Sequence, residues 1–219
     1  MARMRPDPPI VPEAWRVLDD YPRRAHLEFY RRYPNPFYAL TFELDATRLR
    51  AAIVGAGVST YAGFCWAFHR AVLTVDAFRV RLLGDTVVLH DTLRLGLTVP
   101  APRRTFSFSD LDWHADPAVF FPAAAAAMTR ASANTRLVGG EAPNFAYYTV
   151  LPRLPFTGFT HVTLPDPLAG QPEIAFGKFR ECDGRVLVPV GLQVNHVYVD
   201  GADLGDLYDA AQDSFHRAF

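Results

Sequence analysis

Two cysteines in 219 residues, Cys65 and Cys182, give no disulfide framework and no metal-type spacing. Their apolar and mixed surroundings predict small buried residues. An excess of either charge is also lacking, since 22 Lys and Arg stand against 23 Asp and Glu for a formal charge of −1. That balance provides no long-range attraction for nucleic acid or an anionic membrane. No apolar run approaches the roughly 20 residues that span a bilayer. The opening Met1-Ala2-Arg3-Met4-Arg5-Pro6-Asp7-Pro8-Pro9 holds no hydrophobic segment of the signal-peptide kind. The histidines do not fall at metal-ligand spacing with a Cys, an Asp or a second His. The glycines, Gly139-Gly140 included, form no phosphate-cradling loop. These absences predict a soluble, cytoplasmic protein with no metal ion, no nucleic-acid partner and no membrane partner.

What is present suits a substantial core. Half the residues are apolar and 13% are aromatic, so the chain is globular rather than disordered. Residues 1–13 are Pro-rich and charged and read as a flexible tail; residues 14–219 read as one domain, with no repeat or second boundary. Periodicity predicts a helix over 25–32, ended by Tyr33-Pro34-Asn35-Pro36, and a strand over 37–45. Asp45 or Thr47 is placed to cap a helix carrying Leu49, Ile53 and Val54. A longer apolar helix follows near 59–75, with Phe64, Phe68, Ala71, Val72 and Val75 at helical spacing. Residues 78–82 and 87–90 read as strands around a Gly84-Asp85 turn, and 105–108 alternates again. Residues 118–136, with five consecutive alanines, are a high-propensity helix. Further strands are expected within 147–162, broken by Pro152 and Pro155, and at 176–179. A last strand enters a helix over 202–217 whose stripe is Leu204, Leu207, Tyr208, Ala211 and Phe215.

One spot names a chemistry. The β-rich run from Val186 leads to Asn195-His196, and Asp200-Gly201 follows four residues later, ahead of the last helix. Imidazole is the side chain best matched to proton transfer near neutral pH, so a histidine at a strand end is placed at a site edge. The same pattern fits a core histidine satisfied by hydrogen bonds, and three fixed positions do not choose between the two.

Several stretches, in order, resemble the chloramphenicol acetyltransferase family over roughly residues 21–215. Arg23-Arg24-Ala25-His26-Leu27-Glu28-Phe29-Tyr30-Arg31 is similar to the family's opening segment. Phe78-Arg79-Val80-Arg81 with Gly84-Asp85 resembles its middle hairpin. Phe156-Thr157-Gly158-Phe159 and Phe176-Gly177-Lys178-Phe179 resemble two later motifs. Pro189…Gln193-Val194-Asn195-His196…Asp200-Gly201 resembles its catalytic segment. The resemblance implies an α/β fold, a mixed sheet flanked by helices in a two-layer sandwich. It implies a homotrimer with active sites between subunits, acetyl-CoA as co-substrate, a small-molecule alcohol acceptor such as chloramphenicol, and a role in antibiotic resistance. His196 falls at the position of the general base, which deprotonates the acceptor hydroxyl for direct attack on the thioester. Asp200 and Arg23 fall at a carboxylate–arginine pair, expected to be bidentate, that braces the histidine loop. Gly201 is expected to let the chain turn tightly into the helix. Phe29 and Tyr30 match acceptor-pocket positions, though helix packing also accounts for them.

Three departures stand out. Asn195 replaces the first of two adjacent histidines. Thr149, in Tyr148-Thr149-Val150-Leu151-Pro152, stands where the family has a serine donating to the oxyanion, and keeps a hydroxyl. Ala175 replaces a threonine that organises water near the oxyanion. The departures leave open a same-fold acyltransferase with a different acceptor, and a catalytically silent trimer acting as a ligand-binding or scaffold protein. The dihydrolipoamide acyltransferase core also resembles the terminal motif, without the lipoyl or linker segment expected ahead of it. His26 reads as a partly buried structural histidine. Lys178 reads as a solvated strand-edge lysine, with the CoA phosphates as its alternative partner.

Overall fold

The computed structural model describes residues 14–134, 137 and 142–219. The expected tail over 1–13, the Thr135-Arg136 end of the alanine-rich helix, and Gly139-Gly140 lie outside the described residues. In chain order the elements are β1 (Trp15–Val17), α1 (Arg24–Tyr30), β2 (Phe37–Asp45), α2 (Thr47–Ala56), α3 (Thr60–Val72), β3 (Val80–Leu83), β4 (Thr86–His90), β5 (Arg94–Ala101), β6 (Thr105–Leu111), α4 (Pro117–Ser132), β7 (Phe145–Leu151), β8 (Glu173–Gly177), β9 (Arg180–Cys182), β10 (Arg185–Asn195) and α5 (Gly201–Arg217).

β10 organises the larger sheet. It is a long apolar strand, buried over most of its length, and runs antiparallel to β2 from Leu187–Asp45 to Asn195–Phe37. Its other edge takes β9 at residues 185–187 and β8 at 190–193. Pro189, which has no N–H to give, falls in the gap between those two pairings. The order β2-β10-β8-β7-β5-β6 contains two parallel pairs, β5 with β7 and β7 with β8, so the sheet is mixed. β1, β4 and β3 form a smaller antiparallel sheet.

The helices form the second layer because their apolar faces have nowhere else to go. α3 is buried nearly all round, with the Ser59 hydroxyl accepting from the Ala62 N–H at its start. α5 lays Leu207, Ala211 and Phe215 against α3, and the Phe64 and Phe215 rings stack at 5.7 Å. α4 opens on Pro117, with Asp116 accepting from the Ala118 N–H. Two polar side chains are buried among these layers with full partnerships. His69 bonds the Tyr148 hydroxyl and the Leu93 carbonyl, both at 2.9 Å, and burial pushes its pKa down to about 3. Arg81 donates to the carbonyls of Phe78, Val80, Pro143 and Phe145, tying the small sheet to the strand that enters β7.

The structure corrects several expectations. Phe78 and Arg79 lie in a 3₁₀ turn, Asp76–Arg79, and the strand begins at Val80. Residues 152–172 contain no strand; their prolines break the ladder and the segment lies as a loop over the sheet. β8 ends at Gly177, so Lys178 and Phe179 fall beyond it. The α2 N-cap position is Ala46, and the Asp45 carboxylate accepts from the Thr47 N–H one residue earlier than expected. Cys65 is buried but Cys182 is partly exposed at the end of β9.

Candidate active site

β10 ends at Asn195 and the chain makes a compact turn before α5. That turn is held by its own polar groups. The His196 N–H donates to Pro36 O at 3.0 Å, joining the turn to the start of β2. Asn195 O accepts from the Tyr198 and Val199 N–H groups, and Asn195 Oδ1 accepts from the Val197 N–H. Asn195 Nδ2 donates to Pro167 O and Ala169 O at 2.8 and 2.9 Å. The residue that departs from the family pattern thus clamps the turn to the loop ahead of β8.

The His196 ring sits half-buried between Tyr30, stacked at 4.4 Å, and Tyr38, tilted at 4.7 Å. Its Nδ1 lies 2.9 Å from Val199 O. A carbonyl can only accept, so Nδ1 carries the proton of the neutral ring and Nε2 keeps the lone pair. Tyr38 donates to the same Val199 carbonyl at 3.3 Å. Burial, with Asp200 and Asp203 adding to it, pushes the Tyr38 phenol up to about 12, so it acts as a donor and not as a base. Of the two aromatic residues expected at the acceptor border, Tyr30 touches His196. Phe29 is 46% exposed and packs on Tyr30 and Tyr33 instead.

Arg23, just ahead of α1, reaches Asp200 at the head of α5. The pairing differs from the bidentate one expected. Arg23 gives only Nη1, to Asp200 Oδ2, while its Nε and Nη2 find no partner among the described residues. The reason lies in the helix cap: Asp200 Oδ1 accepts from the Ala202 N–H, and Asp203 accepts from the Asp200 N–H, closing a capping box. The guanidinium and these backbone bonds hold the Asp200 carboxyl below the usual carboxylate range. Gly201 does not make the tight turn expected of it. Its φ is not positive, and a Cβ there would meet nothing within 4 Å.

Thr149 lies elsewhere, in the middle of β7. Its Oγ1 accepts from Thr98 Oγ1 of β5 at 2.6 Å, which leaves the Thr149 hydroxyl hydrogen for another acceptor. Thr149 pairs with Ala175 of β8, and Ala175 with Gly191 of β10, so the three share one row across the sheet. Beside that row opens a cavity of about 380 Å³ lined by Thr98, Phe108, Tyr147, Thr149, His161 and Glu173, among others. Gly96 makes room for it, because a Cβ there would lie 2.5 Å from the Tyr147 ring. The loop over 152–172 closes one side: Phe159 packs where a Gly191 Cβ would stand, and the His161 N–H donates to Gln193 Oε1.

His196 follows Gly191 by five residues, and Thr149 is two strands away. Strand rise and spacing therefore put the imidazole and the Thr149 hydroxyl on the order of 15–20 Å apart within one chain. The structure brings together Arg23, Tyr30, His196 and Asp200, and keeps Thr149 separate. Tyr38, Thr98, His161 and Glu173 were not singled out from sequence, since each acquires its place through pairing with distant segments.

The remaining candidates fall away from both places. His26 is exposed, not partly buried, and Lys178 is exposed just past β8. Among the described residues no group of three His, Cys, Asp or Glu is placed to hold a metal ion, and no helix is long and apolar enough to cross a membrane.

Comparisons with known proteins agree with this geometry. The family model described as chloramphenicol acetyltransferase matches residues 16–212. A chloramphenicol acetyltransferase of Streptomyces acrimycini is 33% identical over 202 residues, covering 89% of this chain and 90% of the relative. A solved chloramphenicol acetyltransferase superposes with a TM-score of 0.85 at 22% identity, over 92% of this chain and 100% of the other. The dihydrolipoamide acetyltransferase of Azotobacter vinelandii superposes with a TM-score of 0.66 at 16% identity, over 88% of this chain and 86% of that one, a likeness of fold.

Proposed function

The chain belongs to the chloramphenicol acetyltransferase family and is an acyltransferase, and from that premise we propose that it moves an acetyl group from acetyl-CoA to a hydroxyl of a small alcohol, chloramphenicol or a similar molecule. His196 is the general base. The observation that carries this role is the bond from Nδ1 to the Val199 carbonyl, which fixes the tautomer and leaves the Nε2 lone pair for a substrate proton. The acceptor oxygen attacks the thioester carbonyl as its proton passes to Nε2. The carbonyl oxygen gathers negative charge and takes a hydrogen bond from the Thr149 hydroxyl. Collapse breaks the carbon–sulfur bond, and the departing CoA sulfur takes the proton back from the imidazolium. Holding alcohol and thioester together in one ternary complex supplies a further part of the rate.

Base and oxyanion donor must reach one acetyl group, and within a chain they are too far apart to do so. The reading that reconciles them is a homotrimer, with His196 of one subunit facing Thr149 of a neighbour. Arg23 and Asp200 brace the His196 turn against α5, and Tyr30 borders the acceptor. The cytoplasm is the compartment in which we place the enzyme. The polar lining of the Thr149 cavity also favours a second reading, the same transfer to an acceptor other than chloramphenicol.

The test is CoA thiol release from acetyl-CoA with chloramphenicol, run beside His196→Ala. Release that falls roughly 10²–10⁴-fold in the variant supports the base role; release unchanged by the substitution ends it. Transfer to other alcohols but not to chloramphenicol selects the second reading. Silence with every acceptor would make the protein a ligand-binding or scaffold trimer.

A further inference from the structure

The cavity beside Thr149 holds a carboxyl that the reaction above does not use. Glu173 opens β8 and is 8% exposed. Its Oε2 accepts from Gln193 Nε2 at 2.8 Å. Gln193 is turned to donate there because its Oε1 is taken by the His161 N–H. Glu173 Oε1 lies 4.0 Å from His161 Nδ1, too long for a hydrogen bond, and His161 Nε2 is buried with no partner among the described residues. Burial pushes His161 down to about 4, so at working pH the ring is neutral and brings no charge to the carboxylate. Burial also pushes the Glu173 carboxyl up to about 7. An ionised carboxylate with one neutral amide donor is costly to keep in such a place, and a cation beside it removes that cost.

The neighbours suit a cation. The Phe108 and Tyr147 rings line the same cavity, and aromatic faces attract ammonium groups. Asp110 adds a second carboxyl to the lining. The volume, about 380 Å³, falls in the range of small-ligand sites. Register sets the spacing. Tyr147 pairs with Glu173 and Thr149 with Ala175, so Glu173 is displaced from the Thr149 row by two residues. Two residues of strand rise amount to about 7 Å, the reach of a molecule whose hydroxyl and nitrogen are a few bonds apart.

We propose that the acceptor sits in this cavity and that Glu173 selects alcohols carrying a protonated amine. The assignment rests on the acetyl-transfer reading for the place of the reacting hydroxyl, at Thr149. Glu173 is a specificity residue: it touches the acceptor's nitrogen and takes no part in proton transfer at the hydroxyl.

The experiment compares two acceptors that differ in charge on one skeleton, N,N-dimethylphenylserinol and N-acetylphenylserinol. The tertiary nitrogen of the first cannot form an amide, so its transfer product is an ester. With wild-type protein and acetyl-CoA, kcat/KM for the ammonium diol is expected to exceed that for the neutral diol by roughly tenfold or more. Glu173→Gln keeps the shape and removes the charge, and should bring the ratio near one; Glu173→Leu should reverse it. Thermal unfolding of each variant shows that the fold survives, and should one variant fail to fold the other still decides. Equal use of both diols by wild type, or a ratio that Glu173→Gln leaves intact, overturns the proposal while acetyl transfer stands. If no acceptor is acetylated, the transfer reading has failed, and calorimetric binding of the two diols decides the cavity by itself. Preferential binding of the ammonium diol that is lost in Glu173→Gln upholds the assignment, and equal binding overturns it.

Discussion

The turn that carries His196 and the cavity that carries Thr149 are finished in opposite ways. In the turn, every backbone N–H from His196 to Asp200 has a named acceptor: Pro36 O, Asn195 Oδ1, Asn195 O twice, and Asp203 Oδ2. The imidazole is fixed by Val199 O and flanked by two rings. In the cavity, Glu173 has a single amide donor and His161 Nε2 has none among the described residues. Polar groups that are fully partnered rigidify a structure, and groups left short of partners await one. The first region is built to hold one lone pair still; the second is built to receive something.

The comparison is broken most severely by separating the two regions on different chains. His196→Ala and Thr149→Val are each expected to be nearly inactive, the latter by roughly 10²–10³-fold for a lost oxyanion donor. Co-expressed, the two variants should regain activity, because a site formed between subunits can draw His196 from one variant and Thr149 from the other. Chance assortment in a cyclic oligomer makes about a quarter of such sites intact. Thiol release from purified hybrids measures this. Hybrids as inactive as their parents would show that the two residues do not serve one shared site.

The next effect belongs to the turn alone. Asp200→Ala removes both the Arg23 partner and the acceptor for the Ala202 N–H, so α5 loses its cap and the turn its brace. The expected cost is about 1–2 kcal/mol, near the upper range for an N-cap, read by chemical denaturation. A lower kcat with KM little changed should accompany it. Arg23→Ala keeps the cap and should cost less, since partly exposed ion pairs contribute about 0–1 kcal/mol. If the two substitutions cost the same, the cap is not what holds the turn.

How much of this was legible beforehand follows the same division. The His196 turn is local: a β-rich strand, a histidine at its end and Asp-Gly before a helix lie within fifteen residues or so, and periodicity exposes them. β2 and α5 were legible for the same reason, with strand alternation in one and an apolar stripe in the other. The cavity is not local. Thr98, Thr149, Glu173 and Gln193 meet only because β5, β7, β8 and β10 lie side by side in a fixed register, two of the pairings parallel. A single glutamate ahead of an apolar strand gives no sign of burial. Residues 152–172 were read as strand because their aromatic residues alternate, while their prolines decided for a loop. Asn195 was legible as a departure from the family pattern, but not as the clamp it forms with Pro167 and Ala169.

The cavity should also leave its mark on stability against pH, with two limbs of opposite sign. Burial holds His161 down at about 4 against an ordinary 6.5, so the folded chain resists a proton that the unfolded chain accepts. Stability from this source is whole above 6.5 and is lost as pH falls toward 4. Glu173 is held up at about 7 against 4.5, so its contribution is whole below 4.5 and is lost as pH rises through 7. Melting temperatures across this range are expected to show Glu173→Gln flattening the decline toward neutral pH. His161→Gln should flatten part of the acid limb, the rest coming from His69 and His90, which burial also holds low. A Glu173→Gln profile parallel to wild type would mean that the carboxyl is not desolvated in the folded protein.

The smallest effect sharpens the comparison from the side of the turn. Gly201 stands between the brace at Asp200 and the first turn of α5, where a glycine is expected for conformational reasons. Its backbone is not left-handed, and the space a Cβ would fill is open. Alanine loses less backbone entropy than glycine and favours the helix more, so at a compatible position the exchange stabilises by about 0.4–1 kcal/mol. Gly201→Ala should therefore unfold at or slightly above the wild-type temperature, with kcat and KM unchanged. A drop in kcat without loss of stability would show that the residue lines the path of a substrate. A loss of stability would show that the turn needs freedom at this position, and that its rigidity does not come from the partnered N–H groups alone.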